Sequence, residues 1–107
     1  MIALARGEYS QAFNWMQFAW DSGYRDQVTR LLYSDALVAN GQPELAAEIV
    51  KGLPQAESRL LGQAFFRYWN NQDYSRAADA WKTVLMLNPS NQEILGWLQQ
   101  AQKKINP

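Results

Sequence analysis

The chain has 107 residues, enough for one domain with a modest core, and 48% of them are apolar, with five Trp, five Tyr and four Phe, which excludes a disordered chain. Ten acidic and ten basic residues cancel, so the positive field that phosphate binding requires is missing and no nucleic-acid partner is expected. Cys and His are both absent, which removes disulfides, thiol chemistry and the commonest zinc ligands.

In chain order, the spacing of Tyr9, Ala12, Phe13, Met16, Ala19 and Trp20 predicts a helix over 9–22, with Gly23 placed to stop it. A second helix is predicted over about 26–40 from Val28, Leu31, Leu32, Ala36, Leu37 and Val38, closed by Asn40-Gly41. Pro43 suits the first position of a third helix, which carries Leu45, Ala46, Ile49 and Val50 and stops near Gly52-Leu53-Pro54. Residues 56–70 resume the period with Leu60, Leu61, Ala64, Phe65, Tyr68 and Trp69. Asp73 is placed to cap a fifth helix bearing Tyr74, Ala77, Trp81, Val84 and Leu85, which Asn88-Pro89 ends. Ser90 and Glu93, three apart, read as a capping box for a last helix to about Lys104, with Ile94, Leu98, Ala101 and Ile105 on one side. No segment alternates with period two, so the chain is expected to be all-helical with short connections.

A repeat runs through these elements. Gly7-Glu8-Tyr9-Ser10-Gln11-Ala12 returns 34 residues on as Gly41-Gln42-Pro43-Glu44-Leu45-Ala46, and 31 further on, loosened, as Gln72-Asp73-Tyr74-Ser75-Arg76-Ala77. A period near 34 points to stacked helical hairpins. Small Ala12, Ala46 and Ala77 let helices approach, and Met16, Val50 and Trp81 fill the space a turn later.

Tyr68, Tyr74, Ala77, Trp81, Leu85 and Asn88-Pro89 resemble the second half of a tetratricopeptide repeat. Leu37, Gly41, Ala46 and Val50 match a second unit, with Pro43 in the aromatic slot and the closing Pro54 early. Gly7, Tyr9 and Ala12 match a first, with Tyr24 near the expected proline. Phe65 stands where that family has a small residue. The resemblance implies a right-handed α-solenoid of antiparallel helix hairpins over 1–107, with units at about 1–24, 25–54 and 55–89 and a final helix at 90–105. Met1 then falls inside a first helix, so the chain is expected to be part of a longer protein, and a bare repeat edge is expected to allow a homo-oligomer.

The family lines a concave groove with the first helix of each pair. That implies Val28, Leu31, Asp35 and Val38 from unit two, and Arg59, Phe66, Trp69 and Asn70 from unit three, as a peptide-binding site. Leu32, Ala36, Leu37, Leu61, Ala64 and Tyr68 are left for the core. Some members clamp a terminal carboxylate with Lys and Asn; Leu31 and Asp35 stand on that face here, and Asp35 would repel one. The groove instead suits an apolar or amphipathic protein segment.

Catalysis has no foothold. Asp21 with Asp26, Glu44 with Glu48 and Asp73 with Asp79 flank no apolar pocket legible in the sequence and read as solvated charge. No nucleophile–base pair and no phosphate-binding glycine pattern is present. The expectation is therefore a non-catalytic interaction scaffold without cofactor or metal. The alternatives are a substrate-recruiting accessory domain of a larger enzyme or assembly factor, and a homo-oligomerisation module. No apolar run approaches the roughly 18 residues of a membrane span, so no direct membrane insertion is expected. Met1 to Ala5 is too short, and has no basic segment before it, to read as a leader. Cytoplasm and periplasm both remain open.

Overall fold

A computed structural model describes the backbone of residues 6–106 and the side chains from Ser10 onward. The expectations resting on Met1 and on the Tyr9 side chain lie outside them. Six helices follow one another: α1 Arg6–Asp21, α2 Gln27–Ala39, α3 Pro43–Val50, α4 Ala56–Phe66, α5 Tyr74–Leu87 and α6 Gln92–Ile105. There is no strand among the described residues. The chain is all-α, and no helix is long and apolar enough to cross a membrane among those residues.

The boundaries follow local chemistry. Asp26 caps α2, its carboxylate accepting from Thr29 N at 3.1 Å and Thr29 Oγ1 at 2.7 Å, and these bonds hold the Asp26 carboxyl below its usual pKa. Asp73 caps α5 by accepting from Arg76 N. Two helices end alike. At α2, Gln42 N donates to Leu37 O and Gly41 N to Val38 O, with Gly41 at φ 77°. At α1, Tyr24 N reaches Ala19 O and Gly23 N reaches Trp20 O. Both are Schellman closures, which need a residue in the left-handed region and so favour glycine.

Three expectations are corrected. Helix α1 already includes Arg6 and Gly7, so it starts before the predicted residue 9. Asn91, not Ser90, caps α6, accepting from Ile94 N at 3.3 Å, while Ser90 Oγ donates to Asn88 Oδ1. The two neighbours are equally good capping residues, and the helix starts one position later than the Ser–Glu spacing suggests. Finally, α4 does not run as a regular helix to residue 70. Arg67–Asn71 form a π turn, closed by Gln72 at φ 53° and by Asp73 N donating to Arg67 O at 2.8 Å. The wider turn carries an extra residue, which rotates everything upstream by about 100° relative to an unbroken α-helix. Ala64 is fully buried in α4 while Phe65 is half-buried.

Packing proceeds along the chain: α1 on α2, α2 on α3, α3 on α5, α4 on α5 and α5 on α6. Trp81, wholly buried, is the centre of the C-terminal half. Phe65, Tyr68 and Trp97 lie against it at ring separations of 5.3, 5.6 and 6.1 Å, within the range where aromatic pairs add to area burial. A smaller cluster joins α1 to α2 through Trp20 and Tyr33, 5.2 Å apart, with the Arg25 guanidinium 3.5 Å over the Trp20 ring. Cross-element bonds satisfy helix-end carbonyls: Arg30 donates to Ile49 O and Lys51 O, and Arg76 Nε to Ala39 O. Of the three small residues of the repeat, Ala46 and Ala77 are fully buried and Ala12 is half-buried.

Candidate functional site

Two side-chain contacts join α2 to the region of α4. Gln55 Nε2 meets Gln27 Oε1 at 3.1 Å near their starts. Further along, Arg59 Nε lies 3.2 and 3.1 Å from the two Asp35 carboxylate oxygens, and Nη2 donates to Oδ2. This fork holds the groove's expected acid and base together, with 20% of the Asp35 side chain and 40% of Arg59 exposed. The hydrogen bond to Asp35 raises the Arg59 pKa further, so the cation persists at any ordinary pH. A charge-neutral pair does not repel an incoming segment as a lone Asp35 would.

Around this pair the expected groove residues divide. Val28 and Trp69 are both 62% exposed, and Asn70 is exposed as well. Leu31 is half-buried and packs on the core, and Phe66 is half-buried too. Trp69 stands on the π turn with its ring 4.8 Å from Tyr68 and 5.8 Å from Trp97. Val38 is corrected: it is fully buried within the core and faces no open surface. Leu32, assigned to the core, is 41% exposed. Both reversals have one cause. Helix α2 is apolar over most of its circumference, and its neighbours decide which side closes. The C-terminal end of α2, carrying Val38, is covered by α3 and α5, whereas the Leu32 side borders an open hollow.

Two features were missed in the sequence. Trp97 on α6 extends the aromatic cluster up to Trp69; the signal was its place three after Ile94 and four before Ala101, on their stripe. Trp15 and Phe18 on α1 are 66% and 68% exposed, and they were the large apolar residues left off the predicted buried face.

The carboxylates read as solvated charge have local duties. Asp26 and Asp73 are caps, and Asp73 also meets Arg76 at 3.0 Å. Asp21 accepts from Gln17. Asp79 lies 3.9 Å from Lys82, and burial pushes its carboxyl above the usual range. Glu44, Glu48 and Glu57 border a hollow of about 400 Å³ between α3 and α5, together with Lys51. No group of three or more carboxylates is placed to hold a metal ion among the described residues.

Compared with family models, with curated proteins and with solved structures, the chain matches none.

Proposed function

We propose that this chain is a non-catalytic protein–protein interaction scaffold, a tetratricopeptide-like α-solenoid whose α2–α4 face takes an apolar or amphipathic protein segment. The single observation that carries the reading is the exposure of Val28 on α2 and of Trp69 just after α4, two helices joined by the neutral Asp35–Arg59 fork. Large aromatics beside an arginine make favoured anchors. Leu31 of α2 and Phe66 of α4 are half-buried and add apolar surface to the two helices. The helix order, the Schellman closure at Gly41 and the buried Ala46 and Ala77 are consistent with hairpins repeating along the chain. Units at 25–54 and 55–89 pair α2 with α3 and α4 with α5, and α1 and α6 stand as single helices at the two ends.

The test is selection of amphipathic helical peptides from a displayed library, on the parent chain and on a variant with Phe66→Ala and Trp69→Ala. The parent is expected to enrich a peptide family that the variant does not bind, with the helical circular dichroism of the variant unchanged. A parent that enriches nothing, or peptides that bind both chains equally, overturns the reading.

A further inference from the structure

Asn40 and Gly41 close α2, and they form the one Asn–Gly pair in the chain. An asparagine amide is chemically labile, because the next residue's backbone nitrogen can attack its Cγ. Attack is fastest where that residue is glycine, since no Cβ crowds the nitrogen and the backbone turns freely. The other asparagines are poorer substrates. Asn88 and Asn106 precede proline, which has no N–H to ionise. Asn14, Asn70, Asn71 and Asn91 precede Trp, Asn or Gln, whose side chains hinder the approach.

The fold withholds this pair from reaction. Gly41 sits at φ 77°, the left-handed conformation that the closure of α2 requires. Its N–H donates to Val38 O at 3.0 Å, and Gln42 N–H donates to Leu37 O at 2.9 Å. Asn40 Nδ2 donates to Ala36 O at 2.8 Å, which draws the side-chain amide back along the helix. At ψ 13° the Gly41 nitrogen nearly eclipses the nitrogen of Asn40 itself. The five-membered ring closes only when Gly41 N eclipses Cβ instead, roughly a third of a turn away. That rotation swings the chain after Asn40 and breaks both closing bonds. The end of α2 is also tied from outside, by Arg76 Nε of α5 donating to Ala39 O at 2.9 Å. Asn40 is thus open to solvent, yet its ring-closing geometry exists only when the corner between α2 and α3 has opened.

We propose that Asn40 is a spontaneous modification site of this protein, a deamidation centre gated by local opening of the α2–α3 corner. In the open state Gly41 N gives its proton to solvent base and bonds to Asn40 Cγ. The Cγ–Nδ2 bond breaks, Nδ2 takes a proton from water and leaves as ammonia, and a succinimide remains. Water then adds to one of the two ring carbonyls, and the proton returns to Gly41 N as the ring opens. Opening at Cγ gives aspartate at position 40. Opening at the backbone carbonyl gives isoaspartate, with the main chain routed through the side chain. No electrons are gained or lost. Either product places a carboxylate at the C-terminal end of a helix, where the dipole disfavours negative charge. A second acid is near, since a Cβ on Gly41 would lie 3.8 Å from Asp79 Oδ2. The product also lacks the Nδ2 donor to Ala36 O, so a reacted corner recloses less well than an unreacted one.

The test is incubation of the whole chain at neutral pH, native and in denaturant, with its peptides mapped by mass. The denatured chain is expected to deamidate at Asn40 ahead of every other asparagine. The native chain is expected to react there at least about tenfold more slowly, since only its open fraction reacts. Arg76→Ala removes the tie to Ala39 O and is expected to raise the native rate severalfold with the helical spectrum kept. Deuterium exchange at the Gly41 and Gln42 amides reads the opening directly, and it decides the matter where that variant fails to fold. The native rate is expected to equal the denatured rate multiplied by the open fraction. Equal rates in the two states, or a faster native rate, overturn the gate. No conversion at Asn40 in denaturant removes the site. A native rate unmoved by a folded Arg76→Ala, or out of step with exchange at Gly41, places the gate elsewhere. None of these results bears on the α2–α4 reading, which peptide selection tests separately.

Discussion

Asp79 shows how one residue links packing to solution conditions. It lies on α5 with its carboxyl largely covered, and burial raises its pKa above the usual range, opposed by Lys82 and reinforced by Glu44. The folded state therefore prefers the protonated acid more than the unfolded chain does. Its contribution to stability is fully present below the unfolded pKa and is lost as pH rises through the raised folded value. Asp79→Asn removes the charge while keeping the shape. The variant is expected to melt above the parent at pH 7, and the two curves are expected to converge below about pH 4, where an ordinary Asp is protonated. The Lys82 contact does not reverse this, since a pair 3.9 Å apart whose Lys82 side chain is 42% exposed contributes little. Parallel thermal melts at both pH values decide it; a variant less stable at pH 7 would show that Asp79 is held by its partners more than it is penalised by burial.

At the scale of elements, most of the fold was legible and the reasons are local. A 3.6-residue apolar period, Pro43 at a helix start, Gly23 and Gly41 at helix ends and Asp73 as a cap all act within a few residues, so they survive reading without neighbours. What was not legible depends on partners far along the chain. Val38 and Leu32 are both apolar on α2, and only the packing of α3 and α5 decides that the first is buried and the second is not. For the same reason the site was half legible: the chain brings Asp35 and Arg59 together and leaves Trp69 exposed, while Trp97 enters from α6 and Val38 drops out. The π turn was invisible because Phe65, Tyr68 and Trp69 keep a helical rhythm across it. Its cost is concentrated at Gln72, the one non-glycine residue at positive φ among those described. It occupies the place that Gly41 holds one repeat earlier. A side chain in the left-handed region costs about 1–2 kcal/mol, and glycine returns part of that through unfolded-state entropy. Gln72→Gly is expected to stabilise the chain by about 0.5–1 kcal/mol, measured by denaturant titration. A destabilised variant would mean that the Gln72 side chain itself holds the turn.

For the whole molecule, the two halves are unequally built. The C-terminal half gathers Phe65, Tyr68, Trp81 and Trp97 around one buried indole, and α5 touches α2, α3, α4 and α6. The N-terminal half relies on Trp20, Tyr33 and Phe13 at one seam. The exposed residues of the end helices also differ in kind, with the Trp15 and Phe18 rings on α1 and with Leu95 and Ile105 among glutamines on α6. Net charge is zero, so long-range repulsion does not hold copies apart.

That inequality has a kinetic consequence. Helix α1 packs chiefly on α2, and none of its described side chains is fully buried. Detaching it therefore uncovers little of the interior, whereas releasing α5 dissolves the whole C-terminal core. Backbone amides of α1 should exchange with deuterium through a small local opening, and those of α5 only when the entire chain unfolds. A cover on the Trp15–Phe18 edge would slow exchange in α1 first and leave α5 almost unchanged. The end of the chain that is easiest to open is thus also the end whose closing reports most directly that a partner has arrived.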